Sequence, residues 1–188
     1  MLMQKFQVFG KKSFSFLETE FGFKCHLLAD GILRYETEDV FVLVGYDGRR
    51  SYELTLDLGQ KGTSTERAFN FGEVLRSAKA PENIASSYQV NSEESLKTFL
   101  QTLAQALQSY GVDFLRNDAS AFTRLAQLRG REGKEYALER GLRNARREAD
   151  IAWRKKNYEA VVKSLKPFRA ALTAAEVGKL EFAETKLG

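Results

Sequence analysis

The pair Asp47-Gly48 constrains this chain more than any other feature. It lies between the apolar run Val40–Tyr46 and the alternating run of residues 49–58. Asp-Gly between two such runs is a strong short-range hairpin signal, because tight hairpin turns need positive φ at their centre. A two-residue loop pairs Tyr46 with Arg49, Leu43 with Tyr52 and Phe41 with Leu54. Phe41, Leu43, Tyr52 and Leu54 then form the core face. Val40, Val42 and Val44 lie on the other face, opposite Thr55, Glu53 and Ser51. A strand apolar on both faces is expected at the centre of a sheet, covered at least partly on both sides. A bulged loop would change this pairing. Upstream, residues 23–28 and 31–37 flank a second turn at Asp30-Gly31, which makes four antiparallel strands.

Helical spacing brackets these strands. Phe14, Leu17 and Phe21 predict a short helix over residues 13–22, with Ser13 as its cap and Gly22 in the left-handed position after its end. Six of the 14 phenylalanines fall within the first 23 residues, so this segment is expected to be anchored in the core. Residues 60–64 read as a polar loop, and residues 71–76 as a short helix stopped before Pro81. Ser92 opens a clear helix with carboxylates in its first turn and an apolar stripe at Leu96, Phe99, Leu100, Leu103 and Leu107. From Asn117 onward every pattern is helical. Asn117 or Asp118 caps a helix through Leu128. A long basic helix follows, with Tyr136, Leu142, Ala145, Ala149, Ala152 and Trp153 facing inward. Lys155-Lys156-Asn157 breaks it. Thr173 and Glu176 form a capping box that opens the last helix.

The expected fold is therefore α+β: an N-terminal helix, a four-stranded antiparallel sheet and a helical C-terminal half. Residues 1–115 form the sheet domain and residues 116–188 a helical region packed on it. A hydrophobic fraction of 43% with 12% aromatic residues is ample for a core in 188 residues. One cysteine excludes an intramolecular disulfide and suits a reducing compartment. Lys5, Lys11 and Lys12 precede no long apolar run, so the start is a poor signal peptide. No apolar segment has the length of a membrane-spanning helix. The expected location is the cytoplasm.

Charge is uneven. Residues 1–128 carry net −2, residues 129–156 net +5 and residues 157–188 net +1. The excess includes Arg140, Arg143, Arg146 and Arg147. Arg143 and Arg147 share one helix face. An anionic protein surface or a nucleic-acid backbone would suit such a face, although Glu139, Glu148 and Asp150 interrupt it. No recognised base-reading unit accompanies it, so no sequence-specific nucleic-acid binding is expected.

Chemistry-bearing residues are scarce. The single histidine, His26, follows the single cysteine, Cys25, in a strand, so their side chains point to opposite faces and do not chelate one metal. Carboxylates at Glu18 and Glu20, or at Glu36, Glu38 and Asp39, sit in polar surroundings that do not perturb them as catalysis requires. The glycines form no phosphate-binding loop. No catalytic residue, metal or cofactor is expected. Residues 149–165 are similar to one unit of a tetratricopeptide-like hairpin, but one unit is no array.

Several local patterns, taken in order, resemble a scattered group of small bacterial proteins. They are Phe16-Leu17-Glu18 with Glu20-Phe21-Gly22-Phe23; Arg50-Ser51-Tyr52-Glu53-Leu54; Tyr110-Gly111 with Asp113-Phe114-Leu115; Ala152-Trp153 followed by Tyr158; and Leu172-Thr173 with Glu176, Lys179 and Leu180. Such proteins are often immunity partners of secreted toxins. The resemblance implies a non-enzymatic protein-binding module whose partner is a toxin domain. The alternative is a nucleic-acid-associated protein using the basic helix 129–156. Two surfaces offer the Arg and Tyr side chains that most often anchor interfaces: the hairpin tip with Tyr46, Arg49 and Arg50, and the basic helix face with Arg143 and Arg147.

Overall fold

The computed structural model describes residues 2–29, 31–62 and 68–188. Asp30 of the expected first turn and residues 63 and 64 of the expected polar loop lie outside them. The fold is α+β. The chain divides into two compact units, Met1–Arg129 and Gly130–Gly188. The division falls later than the expected one after residue 115. The reason is that Ala121, Phe122 and Leu125 are buried in the first core, where the Phe122 ring meets Phe114 edge-on at 5.3 Å.

The first unit opens with α1 (Leu2–Ser13) and α2 (Ser15–Phe21). The expected helix over residues 13–22 is α2, and α1 is an additional helix. Ser13 ends α1 and caps nothing; the N-cap of α2 is Phe14. Gly22 follows α2 at φ 70°, in the left-handed position expected of it. Gly10 lies inside α1 despite its low helix propensity. A Cβ there would meet Leu33 Cδ1 at 2.6 Å, so the glycine lets the helix approach the sheet closely.

Strands β1 (Lys24–Ala29), β2 (Ile32–Glu36), β3 (Val40–Tyr46) and β4 (Glu53–Gln60) form the expected antiparallel meander. Two short strands, β5 (Phe69–Asn70) and β6 (Ser87–Gln89), extend it by pairing with different stretches of β4. Between β5 and β6 lies α3 (Phe71–Ser77), capped reciprocally by Asn70 and Glu73.

The β3–β4 register differs from the expected one. Tyr46 pairs with Leu54, Leu43 with Asp57 and Phe41 with Gly59. Leu43 thus faces a residue five positions beyond Tyr52, and an odd shift exchanges the faces. The core face is Val40, Val42, Val44 and Tyr46 against Leu54, Leu56 and Leu58, all buried. Burying each such Val or Leu side chain is worth about 1.5–3 kcal/mol. On the other face Phe41 is also buried, with the Arg34 guanidinium 4.5 Å from its ring centre. The double-sided burial of β3 is as expected.

Helix α4 (Glu93–Tyr110) completes the core with Leu96, Leu100, Leu103 and Leu107. Ser92 caps it, sharing its box with Ser95. Phe99 is half-buried and stacks on Tyr88 at 4.4 Å. A short α5 (Val112–Leu115) follows.

Helix α6 (Ala119–Arg154) is continuous over 36 residues where two helices were expected. Asp118 caps it, accepting the Ala121 N–H at 2.9 Å. In the second unit, α6 is followed by α7 (Tyr158–Leu165), a 3-10 segment (Lys166–Ala171) and α8 (Ala174–Thr185). Ala149, Ala152, Val161, Leu165, Leu180 and Ala183 form a small core. Lys156 takes φ 55° at the break, and Asn157 caps α7. The Thr173–Glu176 capping box is present. Tyr136, expected to face inward, is 67% exposed. Among the described residues, no helix is long and apolar enough to cross a membrane.

Candidate functional site

The β3–β4 loop is longer than a two-residue turn, and one carboxylate organises it. The Asp47 backbone N–H donates to the Glu53 carbonyl, closing the loop over residues 48–52. The Asp47 side chain accepts the N–H groups of Arg49 at 3.1 Å, Arg50 at 3.1 Å and Ser51 at 3.2 Å, and the Ser51 hydroxyl at 3.1 Å. This is aspartate turn chemistry with the side chain replacing ladder acceptors. The Arg49 N–H, then those of Ser51 and Arg50 with the Ser51 hydroxyl, hold the Asp47 carboxyl below its ordinary value. The loop therefore keeps its negative anchor throughout the neutral range.

This geometry redistributes the expected site residues. Arg49 and Arg50 are exposed on the loop. Tyr46 is not: it is 3% exposed, with its ring 5.7 Å from that of Phe6. Among the described residues its hydroxyl is a buried polar atom without a hydrogen-bond partner. Burial pushes that phenol above its ordinary value, with Tyr52 and Asp47 adding to the shift. Tyr46 thus belongs to the core face, and the expectation that it presents a contact side chain is corrected.

Tyr52 takes that place. Half of its surface is exposed, and its φ is 54°. A left-handed conformation costs a bulky non-glycine residue about 1–2 kcal/mol. Its carbonyl accepts the Val90 N–H at 2.8 Å, which fixes the residue at the start of β4. The loop so held is flanked by two depressions. A cleft of about 580 Å³ is lined by Met3, Ile32, Gly45, Arg49, Glu53 and Thr55, among others. A groove of about 350 Å³ is lined by Leu2, Ser51, Tyr52, Gln89, Val90 and Asn91. The sequence signal for this arrangement was Asp47 followed four residues later by Ser51, which favours a side-chain-bonded loop over the two-residue turn.

Arg143 and Arg147 lie in the second unit, so the expected contact residues form two patches. Both are exposed and have no ion-pair partner among the described residues. Arg146 differs: its fork holds the Glu176 carboxylate at 2.6 and 3.1 Å. That bond first, and the Thr173 N–H next, depress Glu176 to about 2. Cys25 is half-buried beside Tyr35, its register partner, and burial pushes its thiol up. His26 is exposed, with Nε2 3.9 Å from Glu36. Glu73, nearly buried, receives the Arg129 guanidinium. Among the described residues, no three His, Cys, Asp or Glu side chains are grouped to hold a metal ion. No protein-family model, curated protein or solved structure matches the chain.

Proposed function

We propose that the chain is a non-enzymatic protein-binding module and that its partner is a toxin domain, the role implied by the resemblance to immunity proteins. The observation that carries the reading is the β3–β4 loop. Asp47 gathers three consecutive amides, Val90 pins Tyr52, and Arg49, Arg50 and Tyr52 stand exposed on the result. Arg and Tyr combine contact area with directed hydrogen bonds, which is why they dominate interface hot spots. A loop ordered before binding loses less entropy when a partner docks. Its cationic side chains suit an acidic partner surface and suit the basic cleft of a nuclease poorly.

The test is toxin challenge with a toxin encoded beside this gene. Arg49→Glu with Arg50→Glu weakens the complex by more than about 2 kcal/mol while thermal stability stays nearly constant. Full protection by that double variant at normal expression removes the hairpin as the main contact.

A further inference from the structure

The second unit carries a built surface that the hairpin does not use. At about 100° per residue, α6 sets Arg140, Arg143, Arg147 and Arg154 on one face with Tyr136 and Ile151 among them. All six are exposed, Tyr136 by 67% and Ile151 by 51%. The opposite face is the buried one, with Leu142, Ala145, Ala149 and Ala152. The four arginines have no ion-pair partner among the described residues. Beside the stripe, Arg146 is held by Glu176 and Asp150 by Lys179 at 2.7 Å, while Glu139 and Glu148 are exposed acids that close no ion pair among the described residues. A row of cations on about 21 Å of helix, at ~1.5 Å per residue, thus stands without a closed ion pair.

A groove of about 440 Å³ adjoins this row, between α6 and the segment from α7 through the 3-10 turn. Gly141, Asn144, Ala145 and Glu148 line it from α6, and Lys163 and Phe168 from the other side. A Cβ at Gly141 would meet the Phe168 ring at 2.9 Å, so the glycine sets how closely that wall approaches. Asn144 lies one helical turn from both Arg140 and Arg147, so these arginines border the groove.

We propose that this arginine row and the groove beside it hold an acidic polypeptide segment, which lays carboxylates on Arg140, Arg143 and Arg147 and places an apolar side chain in the groove. The arginine fork matches carboxylates in two-point contact. The apolar part of the groove, Ala145, Ala160, Pro167 and Phe168, and exposed Tyr136 and Ile151 serve a polypeptide, whereas a duplex keeps its base faces stacked inside and presents phosphate and sugar to them. The proposal rests on the reading of the chain as a protein-binding module and adds to it a surface in the second unit.

The test uses the full chain and two fluorescent probes, an acidic amphipathic peptide of glutamate and leucine and a short duplex DNA. The wild type is expected to bind the peptide more tightly than the DNA. Arg143→Glu with Arg147→Glu lowers peptide affinity by about tenfold or more, as loss of two anchoring contacts does. Ile151→Ser lowers it severalfold. Lys11→Glu with Lys12→Glu changes net charge equally on exposed residues of α1 and leaves affinity within about twofold. Equal weakening by this control pair would show that only net charge matters and overturn the assignment. Tighter binding of DNA than of peptide would overturn it in favour of a nucleic-acid surface. Peptide binding that survives Arg143→Glu with Arg147→Glu refutes this surface but leaves the protein-binding reading standing. An absence of peptide binding refutes the surface, and toxin protection lost with the hairpin arginines would still uphold the hairpin.

Discussion

Arg129→Met should be among the most damaging single changes in the first unit. Glu73 is 6% exposed, and each of its carboxylate oxygens receives a bond from Arg129. Arg129 also donates to the Ala68 carbonyl at 2.9 Å and lies over Phe69, 4.0 Å from the ring centre. Removing one partner of a fully buried pair costs about 3–5 kcal/mol, because the other charge stays behind unpaired. The Arg129 side chain is 33% exposed, so water recovers part of that. A loss of about 3 kcal/mol is expected, a large share of the ~5–15 kcal/mol that holds a domain folded. The pH dependence follows. In the wild type, burial raises the Glu73 value, but the Arg129 bonds and the Asn70 N–H outweigh it, leaving it lowered. Stability from a depressed acid is present above its unfolded value and lost as pH falls through the folded one. In the variant, burial acts without Arg129, so the ionised Glu73 destabilises at neutral pH and is relieved on protonation. The gap between the two proteins therefore narrows on acidification. Urea unfolding followed by circular dichroism, near neutral pH and again near about pH 5, measures it. Glu73→Gln added to Arg129→Met recovers much of the loss, since the stranded charge is gone. A loss below about 1 kcal/mol at neutral pH, or a gap independent of pH, refutes the reasoning.

The second unit should show its own acid sensitivity. With Glu176 depressed to about 2, its contribution to α8 is present above the ordinary glutamate value and lost as pH falls toward ~2; titration of Glu176 by NMR near its ordinary ~4.3 would contradict this. Gly10→Val forces a branched side chain against Leu33, and a loss of about 2 kcal/mol in thermal unfolding is expected; an unchanged midpoint would mean that α1 does not press on the sheet. Tyr52→Gly relieves a left-handed tyrosine and leaves stability unchanged or higher by about 1 kcal/mol, yet weakens toxin protection. A variant that loses stability instead would show that Tyr52 serves the fold.

The sheet and most helices were legible because their signals are local. Ser92, and Thr173 with Glu176, cap helices through contacts three residues apart, and such spacing survives any tertiary context. Helix α1 was missed because Gly10, Lys11 and Lys12 dilute its apolar pattern; only Leu33, distant in sequence, explains why glycine belongs there. The continuity of α6 was missed for a related reason. Gly130 and Gly133 look like interruptions, but a Cβ at either would meet nothing within 4 Å. Each costs roughly 1 kcal/mol of propensity, which the rest of the helix outweighs.

The candidate site was half legible, and one register explains which half. Placing the arginines needed only that residues 47–52 form a hairpin tip, which holds for any loop length. Placing the tyrosines needed the parity of the strand, because neighbours in a strand face opposite sides. A two-residue turn relies on backbone freedom at Gly48. The observed loop instead uses the Asp47 carboxylate, which satisfies three amides together, and it shifts β4 by an odd number of residues. Tyr46 then enters the core face beside Phe6, and Tyr52 is left at the rim. A turn-forming dipeptide thus fixes where the chain reverses, whereas its acceptor groups decide which side chains meet the solvent. The contact surface follows from the second of these.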